Sequence, residues 1–137
     1  MYSRELLRLG LRLAEQGRLD GPHGTAEARS RACGSLVIAD VRLDNARITA
    51  FGHGVKACAV GQASAAVLGS HIIGLTRNDV AQARERLADY LNGLSDDLGL
   101  WPELELLADV RSHKGRHAAA LLPYDAALAA IDQALSR

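Results

Sequence analysis

From residue 3 to residue 16 leucines alternate with charge. Leu6, Leu7, Leu9, Leu11, Leu13 and Ala14 make a broad apolar face, interleaved with Arg4, Arg8, Arg12 and Glu15. That spacing predicts a helix. The stretch GRLDGPHGTAEARSR then interrupts the pattern with three glycines and a proline, predicting a loop with a short edge strand near residues 26 to 32. Two β-branched and aliphatic runs follow, SLVIADVRL at 35–43 and ARITAFGH at 46–53, with Asp44-Asn45 between them. They read as an antiparallel hairpin.

From Cys58 the period changes. CAVGQASAAVLGSHIIG is small and apolar, with Val60, Ala63, Val67 and Leu68 at helical spacing and Gly61 as a weak point in that helix. Helices of such small residues can pack closely on a sheet. Thr76-Arg-Asn-Asp79 has the form of a capping box with Asp in place of Glu, opening a helix to about residue 92 that turns Val80, Ala83, Leu87, Tyr90 and Leu91 to one side. After the break NGLSDDLGLWPE come a short helix in ELELLADV, the basic loop RSHKGRH, and a last helix from about 118 to 135. Leu121, Leu122, Leu128 and Ile131 face the core of that last helix, and Pro123 falls in its first turns. Helix, strands, then helices give an α+β fold: an antiparallel sheet of about three strands packed against several helices.

The chain has 137 residues and reads as one domain, 1–137, able to bury a core without metal or disulfides. Its formal net charge is zero, which argues against nucleic acid held by bulk charge and against a polybasic membrane surface. No apolar run is long enough to span a bilayer, and MYSRELLRLGLRLAEQ lacks an apolar signal core. The expected compartment is the cytoplasm, where both cysteines stay thiols.

Those cysteines are the candidate chemistry. Cys33 precedes the first clear strand; Cys58 follows the second and opens a helix. A hairpin brings the outer ends of its strands together, so the two are expected as neighbours at one end of the sheet. The helix start and Lys56 favour thiolate at Cys58, and two thiolates begin a soft-metal site. The competing reading is two small buried residues. Zinc or an iron–sulfur cluster needs three or four ligands. His53 leads into Cys58, and His113 and His117 flank the basic loop, but no Cys-x-x-Cys or close histidine pair is present. Walker, dinucleotide-binding and nucleophile-elbow motifs are also absent.

ACG at 32–34 followed by CAVGQASAAV at 58–67 resembles the two cysteine motifs of the IscU, SufU and NifU N-terminal-domain family. These are iron–sulfur cluster assembly scaffolds and zinc-dependent sulfur acceptors. Ala63-Ser64-Ala65 stands at the family's offset from the second cysteine. VRSHKGRHAAALLPYDAAL resembles the SufU segment ending in Arg-x-x-Cys-Ala-x-Leu, and WPELELLADV resembles the SufU-type insert. The resemblance covers residues 3 to 135 and implies a SufE/NifU-like fold.

It also implies a site of three cysteines and an aspartate. Cys33 and Cys58 match the first two cysteines. The aspartate falls on Ser35, and the third cysteine on Ala119, with Arg116 matching the arginine three positions earlier. A one-residue shift would bring His117 onto the histidine preceding the third cysteine in IscU, but the match from Val110 to Ala126 disfavours it. The Leu-Pro-Pro-Val-Lys chaperone-binding motif of IscU is missing.

The implied role is a scaffold or carrier binding iron, zinc or a labile cluster through Cys33 and Cys58, helped by His53, His113, His117 or Ser35. A cluster shared across a homodimer is a further form of that role. Implied partners are a cysteine desulfurase and other iron–sulfur assembly proteins. Two alternatives stand beside it: a persulfide-accepting sulfurtransferase-like protein using Cys58, and a family member that binds no cluster and acts as an interaction or regulatory module.

Overall fold

The structure, a computed structural model, describes residues 3–99 and 101–136. Position 100, inside the expected break after residue 92, lies outside the described residues. Strands β1 (Gly24–Arg29), β2 (Leu36–Asp44) and β3 (Arg47–Lys56) form an antiparallel sheet in the order β1-β2-β3. Of the helices α1 (Arg4–Leu11), α2 (Ala59–His71), α3 (Arg77–Leu91) and α4 (His117–Leu135), α4 packs along β1 and β2 and α2 touches β3, while α1 packs on α2 and α3 on α4. The α+β class is as expected.

The hairpin turn sits one residue later than the Asp44-Asn45 reading. Asp44 still pairs with Arg47, and Asn45 and Ala46 make the turn with φ of 54° and 64°. Both central residues at positive φ give the turn whose twist matches a right-handed hairpin. The edge strand starts at Gly24 rather than 26, because α4 presses on it there. A Cβ on Gly24 would run into the Ala130 carbonyl, and Thr25 N–H donates to Gln133 Oε1 at 2.5 Å. The start of β1 therefore faces the last turns of α4.

α2 is the central helix, buried from Val60 to Leu68 except at Gln62, between α1 and α4. Its small residues permit this, and Gly61 is required: a Cβ there would lie 2.6 Å from Ala57 Cβ and 3.3 Å from the Ala119 carbonyl oxygen. Ser64 Oγ ties α2 to α4 by donating to the Ala120 carbonyl at 2.6 Å. The capping box of α3 forms as read: Thr76 N–H donates to Asp79 Oδ2 at 3.0 Å and Asp79 N–H to Thr76 Oγ1 at 3.2 Å.

Three helix expectations are corrected. The helix over 3–16 ends at Leu11 and tightens into a 3-10 turn, Arg12–Glu15. It buries Leu6 and Leu9 but leaves Leu7 52% and Leu11 72% exposed, because one neighbour, α2, covers one side only. Residues Pro102–Ser112 are 3-10 rather than α-helical. Pro123 lies inside α4, beyond its first turn, where its missing N–H removes the helical bond to the Ala119 carbonyl.

Candidate functional site

Three segments meet at one end of the sheet. Arg29 pairs with Leu36 and Leu36 with Lys56, so the β1–β2 loop carrying Cys33 and the β3–α2 junction carrying Cys58 leave the sheet side by side. The start of α4 arrives at the same end, and Ala119 lies against the first turn of α2: a Cβ on Gly61 would be 3.8 Å from Ala119 Cβ. The expected neighbourhood of Cys33 and Cys58 is thus present, and the position matched to the third cysteine joins it.

The Cys33 loop is closed at its base by two backbone bonds. Ser30 N–H donates to the Ser35 carbonyl at 3.0 Å and Gly34 N–H to the Ser30 carbonyl at 2.9 Å. Gly34 makes the bend at φ +70°. Ser30 and Ser35 are buried while Cys33 is exposed, so the thiol stands outward over two hydroxyls. Ser35 Oγ is 3.0 Å from Cys33 Sγ; when the sulfur is a thiolate, the hydroxyl is the donor. The hydroxyls of Ser30 and Ser35 hold the Cys33 thiol below its usual range, with backbone amides helping against a smaller opposing effect of burial.

Cys58 is the N-cap residue of α2, half-buried against the core, and its sulfur makes no capping hydrogen bond. Cys58 stands at the helix start as expected, and hydroxyl hydrogen bonds are found in addition at Cys33. Sequence reading missed Ser30, which hydropathy cannot tell from any polar loop residue. The signal available was its pairing with Ser35 across a glycine turn.

His53 stands apart from the sulfurs. His53 pairs with Ala39, three residues short of the end of β3, roughly 10 Å along the strand from Lys56. It is 3% exposed, and its environment fixes its proton. Gln16 Nε2 donates to the Ala66 carbonyl at 3.3 Å, so Gln16 Oε1 faces His53 and accepts from Nε2–H at 2.8 Å. Nδ1 is left buried without a partner. Burial pushes His53 down to about 4, opposed weakly by the charge of Asp40. His117 opens α4 and donates from Nε2 to the Val110 carbonyl at 3.0 Å. His113 is exposed in the loop before α4.

Among the described residues no three of His, Cys, Asp and Glu stand together in a way that could hold a metal ion. At the cysteine end one chain offers two thiols and the Ser35 hydroxyl, with a methyl group at Ala119, itself 1% exposed. A mononuclear zinc site takes three or four strong protein donors, and a cluster four thiolates or their equivalent. One chain does not meet either requirement.

A sheet of three antiparallel strands, packed against helices and carrying two cysteines at one end, defines an α+β domain. No family model and no curated protein matches the sequence. Solved structures do. The N-terminal part of a nitrogen-fixing NifU-like protein from Brucella abortus is 31% identical, with a TM-score of 0.90 over 98% of this chain and 94% of that one. A proposed iron–sulfur cluster assembly scaffold protein for the SUF system of the thermophile Fervidobacterium islandicum AW-1 is 24% identical, with a TM-score of 0.84 over 95% and 96%. The chain belongs to the IscU/SufU/NifU N-terminal-domain family. No helix among the described residues is long and apolar enough to cross a membrane.

Proposed function

We propose that this chain serves iron–sulfur cluster assembly as a scaffold-like protein, with Cys33 and Cys58 as the thiols that hold its cargo. The observation that carries this is the convergence of the Cys33 loop, the Cys58 cap and the start of α4 at one exposed end of the sheet. Iron and sulfide are the cargo, taken from a supply that includes a cysteine desulfurase.

Anaerobic incubation with iron and sulfide, followed by desalting, visible absorption and metal analysis, tests the reading. Wild type is expected to retain iron and sulfide with sulfur-to-iron charge-transfer bands, and Cys58→Ala to lose them. Retention unchanged in Cys58→Ala, or no retention by wild type, contradicts it.

The exposure of Cys33 and its hydroxyl-supported thiolate favour a second reading, persulfide acceptance at Cys33 rather than Cys58. In that step the Cys33 thiolate attacks the outer sulfur of a desulfurase persulfide, forming Cys33–S–SH as the desulfurase thiolate leaves. Mass spectrometry after incubation with a desulfurase is expected to find added sulfur on Cys33, and an unmodified Cys33 contradicts it.

A further inference from the structure

We propose that this chain binds a second copy of itself through two unlike faces, with the outer face of α1 of one copy seated in a pocket beside α3 of the other. The contact uses neither cysteine and does not rest on the scaffold reading.

The pocket lies between α3 and the segment leading to Pro102, with a volume of about 300 Å³. Leu75, Ala83, Leu98 and Trp101 give it an apolar wall, and Asp79 and Arg86 stand among them. A cleft of this size, with an aromatic wall and few polar groups, accepts apolar side chains. Arg86 also lines a second hollow on α3, together with Glu85 and Asp89. The other cations of α3 are engaged within the chain. Arg77 pairs with Asp132 at 2.5 Å, and Arg84 with Asp125 at 2.6 Å and more loosely with Glu85 at 3.6 Å. Asp79, Glu85 and Asp89 therefore outnumber Arg86, and this face is acidic in sum.

The outer face of α1 carries the matching chemistry. Arg4, Leu7, Arg8 and Leu11 are all exposed and stand three or four positions apart, so they share one side of the helix. Glu5 lies two positions from Leu7, off that side. Leu6 and Leu9 are buried and hold α1 to α2, which leaves the Leu7–Leu11 side outward.

Charge selects the occupant. The formal net charge of zero is divided between a basic apolar helix and an acidic apolar pocket. Each face matches the other in hydropathy and is opposite to it in sign. Two α1 helices would bring like charges together, and so would two pockets, so the contact joins unlike faces. Such faces join head to tail, or close as a dimer when a two-fold axis lets each copy give α1 and receive it. Seating Leu7 and Leu11 removes apolar surface from water, and the ion pairs at the rim add an attraction that salt screens.

Sedimentation equilibrium of the full chain, read together with the emission of Trp101, its one tryptophan, tests this. The mass is expected to rise above that of a monomer between about 1 μM and about 1 mM. Trp101 emission is expected to shift in step, because that residue lines the pocket. Raising the salt to about 1 M weakens the contact. Leu7→Gln combined with Leu11→Gln, both at exposed positions, is expected to weaken association roughly tenfold or more. Arg8→Glu and Asp89→Arg are each expected to weaken it, and an equimolar mixture of the two to restore it. A monomer throughout the range overturns the proposal. Association that leaves Trp101 emission unchanged, or that survives the leucine changes, overturns it too, as does a mixture that associates no better than either charge variant alone.

Discussion

Two regions of this sheet treat polar groups in opposite ways. In the middle of β2, Asp40 is fully buried beneath the segment that follows α1. It accepts from Arg18 at 2.6 and 3.0 Å, from Leu19 N–H at 3.1 Å and from Thr25 Oγ1 at 2.9 Å. Burial raises its pKa, but these donors together outweigh that and hold it below the usual carboxylate range. His53 is locked beside it by Gln16 and by its own N–H to the Gly17 carbonyl at 3.2 Å. At the end of the same strands Cys33 stands exposed over two hydroxyls, beside Gly34, around whose built Cβ nothing lies within 4 Å. The first region spends its polar groups on one fixed arrangement. The second leaves two sulfurs available to an incoming group, which is what a cargo site needs and a structural network does not.

Substitutions separate the two regions most sharply at glycine. A Cβ on Gly52 would lie 2.5 Å from Leu19 N and 2.7 Å from the Gly17 oxygen, both backbone atoms of the covering segment. Gly52→Ala is expected to cost about 3 kcal/mol in urea unfolding. Gly34, in the cysteine loop, has open space around it and only its φ of +70° to satisfy. Gly34→Ala is expected to cost about 1 kcal/mol. Equal costs would mean that the two regions are equally constrained.

The next effect is on pH. His53 is held neutral by burial, with its folded value at about 4 against an ordinary 6.5. The unfolded chain therefore binds the proton first as pH falls. The stability from neutral His53 is complete above pH 6.5 and is lost on the way down to pH 4. Between pH 7 and pH 4.5 wild type is expected to lose about 2.5 kcal/mol through this residue, and His53→Gln to lose correspondingly less. A parallel loss in both proteins contradicts the burial account.

A smaller effect sits at the helix start. Thr76→Ala removes one half of the α3 capping box and is expected to cost about 1 kcal/mol, without changing how much iron the protein retains.

Much of this was legible in the chain. β-branched and aliphatic runs marked β2 and β3, and Thr76 with Asp79 marked the start of α3, because local composition and capping chemistry act within a few residues. The hairpin put Cys33 beside Cys58, since antiparallel pairing fixes which strand ends meet. What stayed hidden depends on contacts distant in sequence. Gly61 looked like a flaw in a helix until α4 was placed against it. His53 looked like a ligand because its strand leads to Cys58. Only the register and Gln16, 37 residues away, show it turned to another task. Ser30 was invisible because its role depends on the loop closing onto Ser35.

The central claim is that the cysteine end, and not the buried histidine, holds the cargo. Iron retained per chain after anaerobic loading at pH 7.5, compared between Cys58→Ala and His53→Gln, tests it directly. The account predicts none in Cys58→Ala and wild-type retention in folded His53→Gln. Loss of iron in His53→Gln with retention in Cys58→Ala would contradict it.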